Sequence, residues 1–205
     1  MSKELKKLDP RVVRTRQMLR DALVSLIAEK GFDALTVQDI ADRATLNRAT
    51  FYLHYQDKHE LLINSLRDAI DELMADIGSL DEATQLALEG PQRPIRRVFD
   101  HVARHAPFYR VMMGAAGVPA FIAGVRDYIA EITLQWLSAL QPVPEKSIVP
   151  LDIVANSLSW SLLGVLIWWL EHDLPHPPDY LAEQFRLLIT SDLRQVLGLR
   201  PLPLA

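Results

Sequence analysis

Hydrophobic side chains recur every three or four residues along most of the chain, and this period predicts α-helices rather than strands. In the first such stretch, Asp9 is a favourable helix cap and Pro10 fits the first turn. Gly31 follows Lys30 as a stop signal. The apolar residues of this stretch share one face: Leu19, Leu23, Leu26 and Ile27. We therefore expect a first helix that ends at Lys30 and buries this face.

Three helix start signals follow one another between residues 35 and 61. Thr36 and Asp39 can form a capping box, in which each side chain accepts a hydrogen bond from the backbone N–H of the other residue. Asn47 is a favourable cap for a second helix, and Asp57 with Glu60 repeats the box for a third. Two hydrophobic pairs are spaced to contact each other across the first two helix N-termini as hydrophobic staples: Leu35 with Ile40, and Leu46 with Phe51. The segment predicts two short helices and the start of a third.

The connection between these two short helices consists of Ala44, Thr45 and Leu46. This is the length of the turn in a helix-turn-helix DNA reader, where glycine is often used because it tolerates positive φ. A β-branched residue tolerates positive φ poorly. We therefore expect the turn either to avoid that conformation at Thr45 or to be strained.

The second short helix has two distinct faces. Phe51 and Tyr55 share a face that can pack, whereas Arg48 and Tyr52 point elsewhere with Ala49 beside them. Arg48 can make a bidentate contact to a guanine edge, and small Ala49 allows close approach to a thymine methyl group. The outer face is therefore a candidate for reading DNA sequence.

Other polar residues near this helix are better suited to phosphates, which fix register without reading sequence: Thr36, Thr50, Tyr52, His54 and Lys58. Each has a simpler alternative. A Thr or Asn cap is more often only a cap, Tyr52 and His54 can pack against the first helix, and Lys58 can be solvated. The joint arrangement of three capped starts, a short turn and a polar-aromatic outer face favours the DNA-binding interpretation.

The segment resembles the TetR family of bacterial one-component transcriptional regulators. The resemblance rests on Gly31, Phe32, Thr36, Ile40, Ala41, Ala44, Thr50, Phe51, Tyr52, His54, Tyr55, Lys58 and Leu61. It departs at Thr45, where the family commonly has glycine. The resemblance implies that most of the candidate residues lie at or near an operator in double-stranded DNA. The predicted DNA-binding set is Thr36, Val37, Gln38, Asn47, Arg48, Ala49, Thr50, Tyr52, His54 and Lys58.

Beyond the helix-turn-helix, the hydrophobic pattern predicts helices over about residues 58–77, 95–105, 107–113, 119–140, 151–170 and 179–197. Residues 78–94 are weakly patterned and contain the helix breakers Gly90, Pro91 and Pro94. No strand pattern or repeat appears, so the predicted fold is all-α. We expect a helix-turn-helix domain with a basic arm over residues 1–57, a linking helix over 58–77, and a helical regulatory and dimerisation domain over 78–205.

The net charge of −4 is unevenly distributed. Residues 1–58 hold 11 Lys and Arg against 8 Asp and Glu, whereas residues 59–205 hold 11 against 18. The basic excess is concentrated in the N-terminal arm, although that arm can also be merely a solubilising tail. DNA binding needs positive charge at the contact face and not over the whole molecule. An acidic second half is therefore compatible with a DNA-binding first half.

Composition excludes several other classes. The chain has no cysteine, which excludes cysteine-based metal sites and fits a reducing cytoplasm. No apolar segment follows the basic stretch after Met1, so we expect no signal peptide and a cytoplasmic location. The sequence lacks a phosphate-binding Gly-rich loop and the Gly-x-Ser-x-Gly and His-Glu-x-x-His motifs, so we predict no enzyme and no cofactor.

Two consecutive, very apolar helices end the chain, and such pairs can form a four-helix bundle in a homodimer. The resemblance implies the same, because TetR-family members commonly dimerise through their last two helices. The predicted interface residues are Trp160, Leu162, Trp168, Leu181, Phe185, Leu188 and Ile189. These helices can instead fill the core of one chain, and a membrane span over residues 151–170 is a weaker alternative because polar residues interrupt it. A dimer would read a pseudo-palindrome whose half-sites lie roughly 34–36 Å apart.

The resemblance also implies a regulatory pocket whose occupation moves the linking helix, and thus a repressor that a small apolar or aromatic effector releases. The candidate lining residues are His101, His105, Phe108, Tyr109, Met112, Met113, Phe121, Tyr128 and Trp136. Such residues at helical spacing are more often ordinary core. His101 and His105 lack a third ligand, so we predict no metal. The alternative function is a protein-interaction adaptor that keeps the fold without binding an operator.

Overall fold

The computed structural model describes residues 9–77, 92–114, 117–141, 143 and 147–196. These residues contain nine helices and no strand, which confirms the predicted all-α fold. The helices are α1 (Pro10–Lys30), α2 (Val37–Arg43), α3 (Arg48–Tyr52), α4 (Lys58–Ile77), α5 (Gln92–Arg104), α6 (Ala106–Met113), α7 (Pro119–Leu140), α8 (Leu151–Glu171) and α9 (Pro178–Val196). We call α1–α3 the head, α4 the linking helix, and α5–α9 the regulatory half.

The predicted caps of the head are present. Asp39 Oδ2 accepts from the Thr36 backbone N–H at 2.8 Å, and Thr36 Oγ1 accepts from the Asp39 N–H at 3.2 Å, so the capping box is complete. Asn47 Oδ1 accepts from the Ala49 N–H at 2.9 Å and starts α3. The Asp9 side chain accepts from the N–H of Arg11 at 2.8 Å and starts α1. Local sequence signals therefore set where these helices begin.

The turn between α2 and α3 has a left-handed residue, because Thr45 has φ 57°. The Leu46 N–H donates to the Ala41 carbonyl at 2.9 Å, and the Thr45 N–H donates to the Asp42 carbonyl at 3.0 Å. These two hydrogen bonds form a Schellman motif, which provides donors for the last carbonyls of α2. The motif requires the residue at the position of Thr45 to have a left-handed conformation. The second of the two expected outcomes is therefore correct: the turn adopts positive φ at Thr45 and is strained.

One hydrophobic core runs from the head into the regulatory half. Leu23 of α1, Phe51 of α3, Leu61 of α4 and Phe121 of α7 belong to the same buried cluster. Arg20 of α1 also crosses between the parts: Nη1 lies 3.1 Å from Glu72 Oε1, and the guanidinium lies 4.7 Å from the Phe108 ring centre. The head is therefore fixed to both the linking helix and α6, rather than hanging from the chain connection alone.

Within the regulatory half, α7 packs along α8 and α5 packs along α9. Helix α5 begins at Gln92, three residues earlier than predicted, with Pro94 in its first turn, where proline is tolerated. The predicted breakers Gly90 and Pro91 lie outside the described residues, as do the first eight residues of the basic arm and Leu197. Among the helices that the structure describes, α8 is long and apolar enough to cross a membrane by length and composition, and 44% of its most apolar stretch is buried inside the protein.

Candidate nucleic-acid interface and regulatory cavity

The outer face of α3 is exposed, while its inner face is anchored in the core. Phe51 is fully buried, whereas Arg48 and Ala49 are exposed and Tyr52 keeps 47% of its surface accessible. The Arg48 guanidinium lies over the Tyr52 ring, 5.4 Å from its centre, and donates to the Tyr52 hydroxyl at 3.0 Å. The two residues predicted to read bases, Arg48 and Ala49, therefore share one accessible surface with Tyr52, which was predicted to contact a phosphate.

The other candidate residues around this surface differ in their exposure and in their hydrogen bonds. Gln38 is exposed and donates to Asp42 Oδ1 at 2.7 Å, whereas Val37 and Thr50 are half-buried. The Thr36 hydroxyl donates to Asp39 at 2.7 Å while accepting the capping bond, so both of its roles are used inside the box. Thr36 and Asn47 are thus helix caps first, and a phosphate contact would have to compete with the cap at Thr36.

Lys58 makes contacts that its sequence position did not reveal. Its ammonium donates to the backbone carbonyls of Phe32, Asp33 and Leu35 at 3.0, 3.0 and 2.9 Å. An ammonium has three protons, so these bonds use all of them. Lys58 therefore fastens the start of α4 to the loop before α2 in this structure. The structure does not present its charge to a phosphate.

A further charged contact holds the head, and the sequence did not predict it. Arg43 of α2 makes two hydrogen bonds to the Glu29 carboxylate of α1, at 2.7 and 2.6 Å. The side-chain hydrogen bond from Arg43 is the main cause that lowers the pKa of Glu29. His54 is half-buried beside the same helices, and burial, followed by the charge of Arg16, lowers its pKa. The head is therefore held by paired charges as well as by its core.

An apolar cavity of about 230 Å³ lies between the linking helix α4 and the helices α5 to α9 of the regulatory half. Its wall is lined by Leu66, Ala69, Ile70, Leu73, Met74, Ile95, Val98, Val102, Tyr109, Met113, Phe121, Val125, Tyr128, Ile129, Ile132, Thr133, Trp136, Leu158, Leu162, Leu166, Phe185, Arg186 and Ile189. Five predicted residues are among them: Tyr109, Met113, Phe121, Tyr128 and Trp136. The aliphatic wall from the linking helix was missed, because in sequence it cannot be distinguished from ordinary core.

Four predicted lining residues lie behind the wall instead, which corrects the predicted set. Met112 is fully buried in the core, and Phe108 packs edge-on against Phe121 with ring centres 5.6 Å apart. His101 is 1% exposed and bonds to other protein groups, while the His105 ring lies 4.6 Å from the His101 ring. Aromatic character and helical spacing alone did not separate the wall from the layer that supports it.

His101 is the centre of a buried cluster that reaches the linking helix. Its Nδ1 lies 2.7 Å from Asp76 Oδ2 of α4, and its Nε2 lies 3.0 Å from the Tyr109 hydroxyl. Arg104 also donates to Asp76 Oδ2, at 2.6 Å. Burial is the main cause that lowers the pKa of His101, and the hydrogen bond from His101 is the main cause that lowers the pKa of Asp76. A neutral imidazole with its proton on Nδ1 fits both contacts, so the Tyr109 hydroxyl donates to Nε2.

The residues predicted for a dimer interface fall into two groups. Leu162, Leu181 and Phe185 are buried within the chain itself, which corrects that part of the prediction. Trp160, Trp168 and Leu188 are exposed by 47, 41 and 73%, and Ile189 is half-buried. Ile153 on α8 and Tyr180 on α9 are also exposed, and the sequence pattern did not single them out. Among the described residues, no group of three or more His, Asp or Glu side chains could hold a metal ion.

Two sequence models of known families match the chain. Residues 19–64 match bacterial regulatory proteins of the tetR family, which places the match over α1 to α4. Residues 89–191 match the transcriptional regulator C-terminal region of the same family, which covers the part of the cavity wall on α5 to α9 and most of the last two helices. The two matches together account for the head and for the regulatory half.

Curated relatives and solved structures agree with this result. The HTH-type transcriptional regulator YxbF of Bacillus subtilis is 26% identical over 181 residues, covering 88% of this chain and 46% of that protein. The HTH-type transcriptional repressor KstR2 of Mycobacterium tuberculosis is 31% identical over 90 residues, covering 44% of this chain and 45% of that protein. The chain thus spans about half the length of these curated relatives. The fatty acid degradation regulator FadR from Bacillus halodurans has the same fold, with a TM-score of 0.62 at 18% identity, over 92% of this chain and 99% of that chain.

Proposed function

Because the chain belongs to the TetR family of DNA-binding transcriptional regulators, we propose that it is a cytoplasmic repressor that binds a pseudo-palindromic operator as a dimer. A small-molecule effector releases it from that operator. The observation that carries this proposal is the exposed face of α3, with Arg48, Ala49 and Tyr52 held outward by a buried Phe51. The repressor KstR2, which matches 44% of the chain, supports the sign of the regulation.

On DNA, Arg48 makes the base contact that discriminates most, a bidentate pair with a guanine edge. In this structure the Arg48 guanidinium contacts the exposed Tyr52 side chain and therefore lies at the protein surface. Ala49 leaves room for a thymine methyl group, and Gln38 and Thr50 contact the backbone or base edges beside it. Lys58 contributes by fixing the loop before α2, which keeps α2 and α3 in register for the groove.

The dimer forms through the exposed faces of α8 and α9. Ile153, Trp160 and Trp168 follow one another at helical spacing on α8, and Leu188 projects from α9. Large apolar side chains that stay exposed at such spacing mark an association surface in a protein of this size. Pairing of the two helices with those of a second copy makes a four-helix bundle and places two α3 helices on one operator.

The effector acts through the linking helix, which forms part of the cavity wall through Leu66, Ala69 and Leu73. The same helix carries Asp76, which is bonded to His101 and Arg104 of α5, and Glu72, which is paired with Arg20 of the head. A ligand that prefers one position of this helix shifts the distance between the two heads. Release of the operator is thus a change in the population of head spacings.

Fluorescence anisotropy with DNA from the promoter region beside the gene tests the proposal. We expect nanomolar, salt-sensitive binding that prefers this DNA over a random duplex. Arg48→Ala should weaken it by about 1–3 kcal/mol, because a bidentate base contact is lost. Arg67→Ala, which removes an exposed charge of the same sign from α4, should change it little. Equal affinity for random DNA, together with capture of a protein partner without DNA, would instead support the adaptor function.

A further inference from the structure

The cavity offers no unpaired charge to a ligand. Among its described lining residues the single charged side chain is Arg186, and Glu183 holds that guanidinium through Nε–Oε2 and Nη2–Oε1 contacts of 3.0 and 2.6 Å. An ion buried here would lose its water without gaining a partner, which costs several kcal/mol in a low-dielectric interior. The wall therefore selects against both carboxylate and ammonium groups.

The two tyrosine hydroxyls of the wall also indicate selection against anions. The pKa of Tyr128 is raised by burial and then by the charges of Asp71 and Glu131. The pKa of Tyr109, on the other side of the cavity, is raised mainly by burial and further by Glu72 and Asp76, although Arg20 opposes this. Burial is the main cause of both shifts, so an ionised oxygen is disfavoured at either phenol.

One hydrogen-bond donor of the wall is left without a partner. The Trp136 indole N–H is buried and makes no hydrogen bond among the described residues. The Tyr109 hydroxyl, in contrast, gives its proton to His101 Nε2, because the Nδ1 proton of His101 is given to Asp76. A buried donor without an acceptor costs about 1–3 kcal/mol. Less than 1 Å² of this nitrogen is accessible in the structure. A ligand acceptor toward which the indole turned on binding would recover that cost.

We infer that the effector is a compact, uncharged, largely apolar molecule with one hydrogen-bond acceptor, such as an ester or ketone oxygen, and that this oxygen accepts from the Trp136 indole N–H. The inference rests on the proposed function, since it names the effector class of the same cavity. The volume of about 230 Å³ lies below the roughly 300–1,000 Å³ of pockets for drug-sized ligands. The effector is therefore a small molecule, and its apolar part fills the aliphatic and aromatic wall.

Three probes of equal chain length separate the chemical requirements: methyl octanoate, octanoate and octane. Binding to the full-length protein is measured without DNA, by isothermal titration calorimetry and by the quenching of tryptophan fluorescence. We expect methyl octanoate to bind most tightly. Octane should bind about tenfold more weakly, because it lacks the acceptor, and octanoate should be weaker still, because its charge is buried without a partner.

Trp136→Phe tests the assigned donor, since it keeps an aromatic ring and removes the N–H. We expect this variant to bind methyl octanoate about tenfold more weakly and to bind octane with unchanged affinity. Gln135→Met is the matched control: Gln135 precedes Trp136 on α7, is exposed and does not line the cavity. This variant removes side-chain N–H donors outside the cavity and should bind all three probes as the unmodified protein does.

Each other outcome overturns the inference. Octanoate as tight as methyl octanoate would show that the cavity accepts anions, and an unchanged affinity in Trp136→Phe would remove Trp136 from the site. Binding of none of the three probes would reject the whole ligand class. The proposed function fails differently, because operator DNA is then not preferred over random DNA, whatever these probes do. The two failures are read in separate assays and are therefore distinguishable.

Discussion

The head and the regulatory half are held together in different ways. In the head, the polar contacts that start the helices join residues two or three apart, as at Thr36 and Asp39. In the regulatory half, some polar contacts reach distant residues: His101 binds Asp76 of the linking helix, and Arg110 Nε donates to the Leu170 carbonyl, 60 residues further along the chain. The head is thus locally specified, whereas the regulatory half takes its shape from long-range contacts around a cavity. Such an arrangement lets a ligand alter the second region without unfolding the first.

The largest expected effect comes from a truncation in the part of the core that lies within the head. Phe51 is fully buried and contacts the rings of Tyr52 and Tyr55. Phe51→Ala should lower the free energy of unfolding by about 3–5 kcal/mol, because a large cavity is left that local structure cannot refill. Urea denaturation measures this loss, and operator binding should fall with it.

The neighbouring Leu53 provides the control, since it is 81% exposed. Leu53→Ala should change the free energy of unfolding by less than about 0.5 kcal/mol. If Phe51→Ala cost as little as Leu53→Ala, the head would not be a tightly packed unit. The comparison between a rigid head and an adaptable regulatory half would then be wrong.

A smaller effect is expected where the head does depend on a distant contact. Lys58→Met removes the ammonium that binds the carbonyls of Phe32, Asp33 and Leu35 while keeping the apolar stem. We expect a loss of about 1–3 kcal/mol, because the carbonyls lose charge-assisted hydrogen bonds. Urea denaturation again gives the value. Lys30→Met removes an exposed ion pair to Asp39 and should cost less than about 1 kcal/mol. Equal losses in the two variants would contradict the anchoring role of Lys58.

These contacts also show how far sequence reasoning reaches. The caps at Asp9, Thr36 and Asn47, and the bounds of α1, α4 and α7, could be predicted because they depend on residues close together in the chain. The outer face of α3 followed from helical geometry in the same way. Lys58 could not be assigned to the carbonyls of the loop before α2, because those partners lie 23 to 26 residues away.

The regulatory cavity could be predicted only in part. Tyr128 and Trp136 were found because aromatic residues stand out in a helical pattern, but so do His101 and Phe108, which support the wall from behind. The aliphatic wall residues carry no distinguishing signal, since an apolar side chain next to a cavity looks like one next to another side chain. The packing of the six helices α4 to α9 decides which apolar side chains face the cavity, and no local sequence pattern predicts that packing.

Acid should separate the two regions. Burial lowers the pKa of His101 below 6.5, so on acidification the unfolded chain binds a proton that the folded protein does not. The stability contributed by the neutral imidazole is therefore lost as the pH falls from 6.5 toward the folded pKa. In the head, the hydrogen bonds from Thr36 lower the pKa of Asp39 from 3.8 to about 2, so that contribution is lost only between these values. Burial also lowers the pKa of His54, which follows α3, so His54 acts in the same pH window. The comparison is therefore made in a His54→Gln background, in which the regulatory half should loosen first.

Tryptophan fluorescence measures this order, because all four tryptophans lie in the regulatory half: Trp136, Trp160, Trp168 and Trp169. As the pH is lowered from about 7 to about 5, we expect the thermal unfolding midpoint reported by tryptophan fluorescence to fall. Hydrogen exchange of the backbone amides in α2 and α3 should stay slow. His101→Gln should remove most of this pH dependence, and His59→Gln, at an exposed position of the linking helix, should keep it. A head that loosened before the tryptophans responded would reverse the proposed order.

The smallest expected effect concerns the one place where local signals in the head conflict. The Schellman motif at the end of α2 requires a left-handed residue, and Thr45 adopts φ 57° with a β-branched side chain. Glycine adopts this conformation without steric cost, although it loses more backbone entropy on folding. Thr45→Gly should therefore raise the free energy of unfolding by about 0.5–1 kcal/mol, as urea denaturation would show. Ala44→Gly, at φ −75° in the same turn, gains no such relief and should destabilise the head. Opposite signs for these neighbouring changes would identify backbone strain as the cause, whereas a loss in both would mean that the Thr45 side chain stabilises the turn.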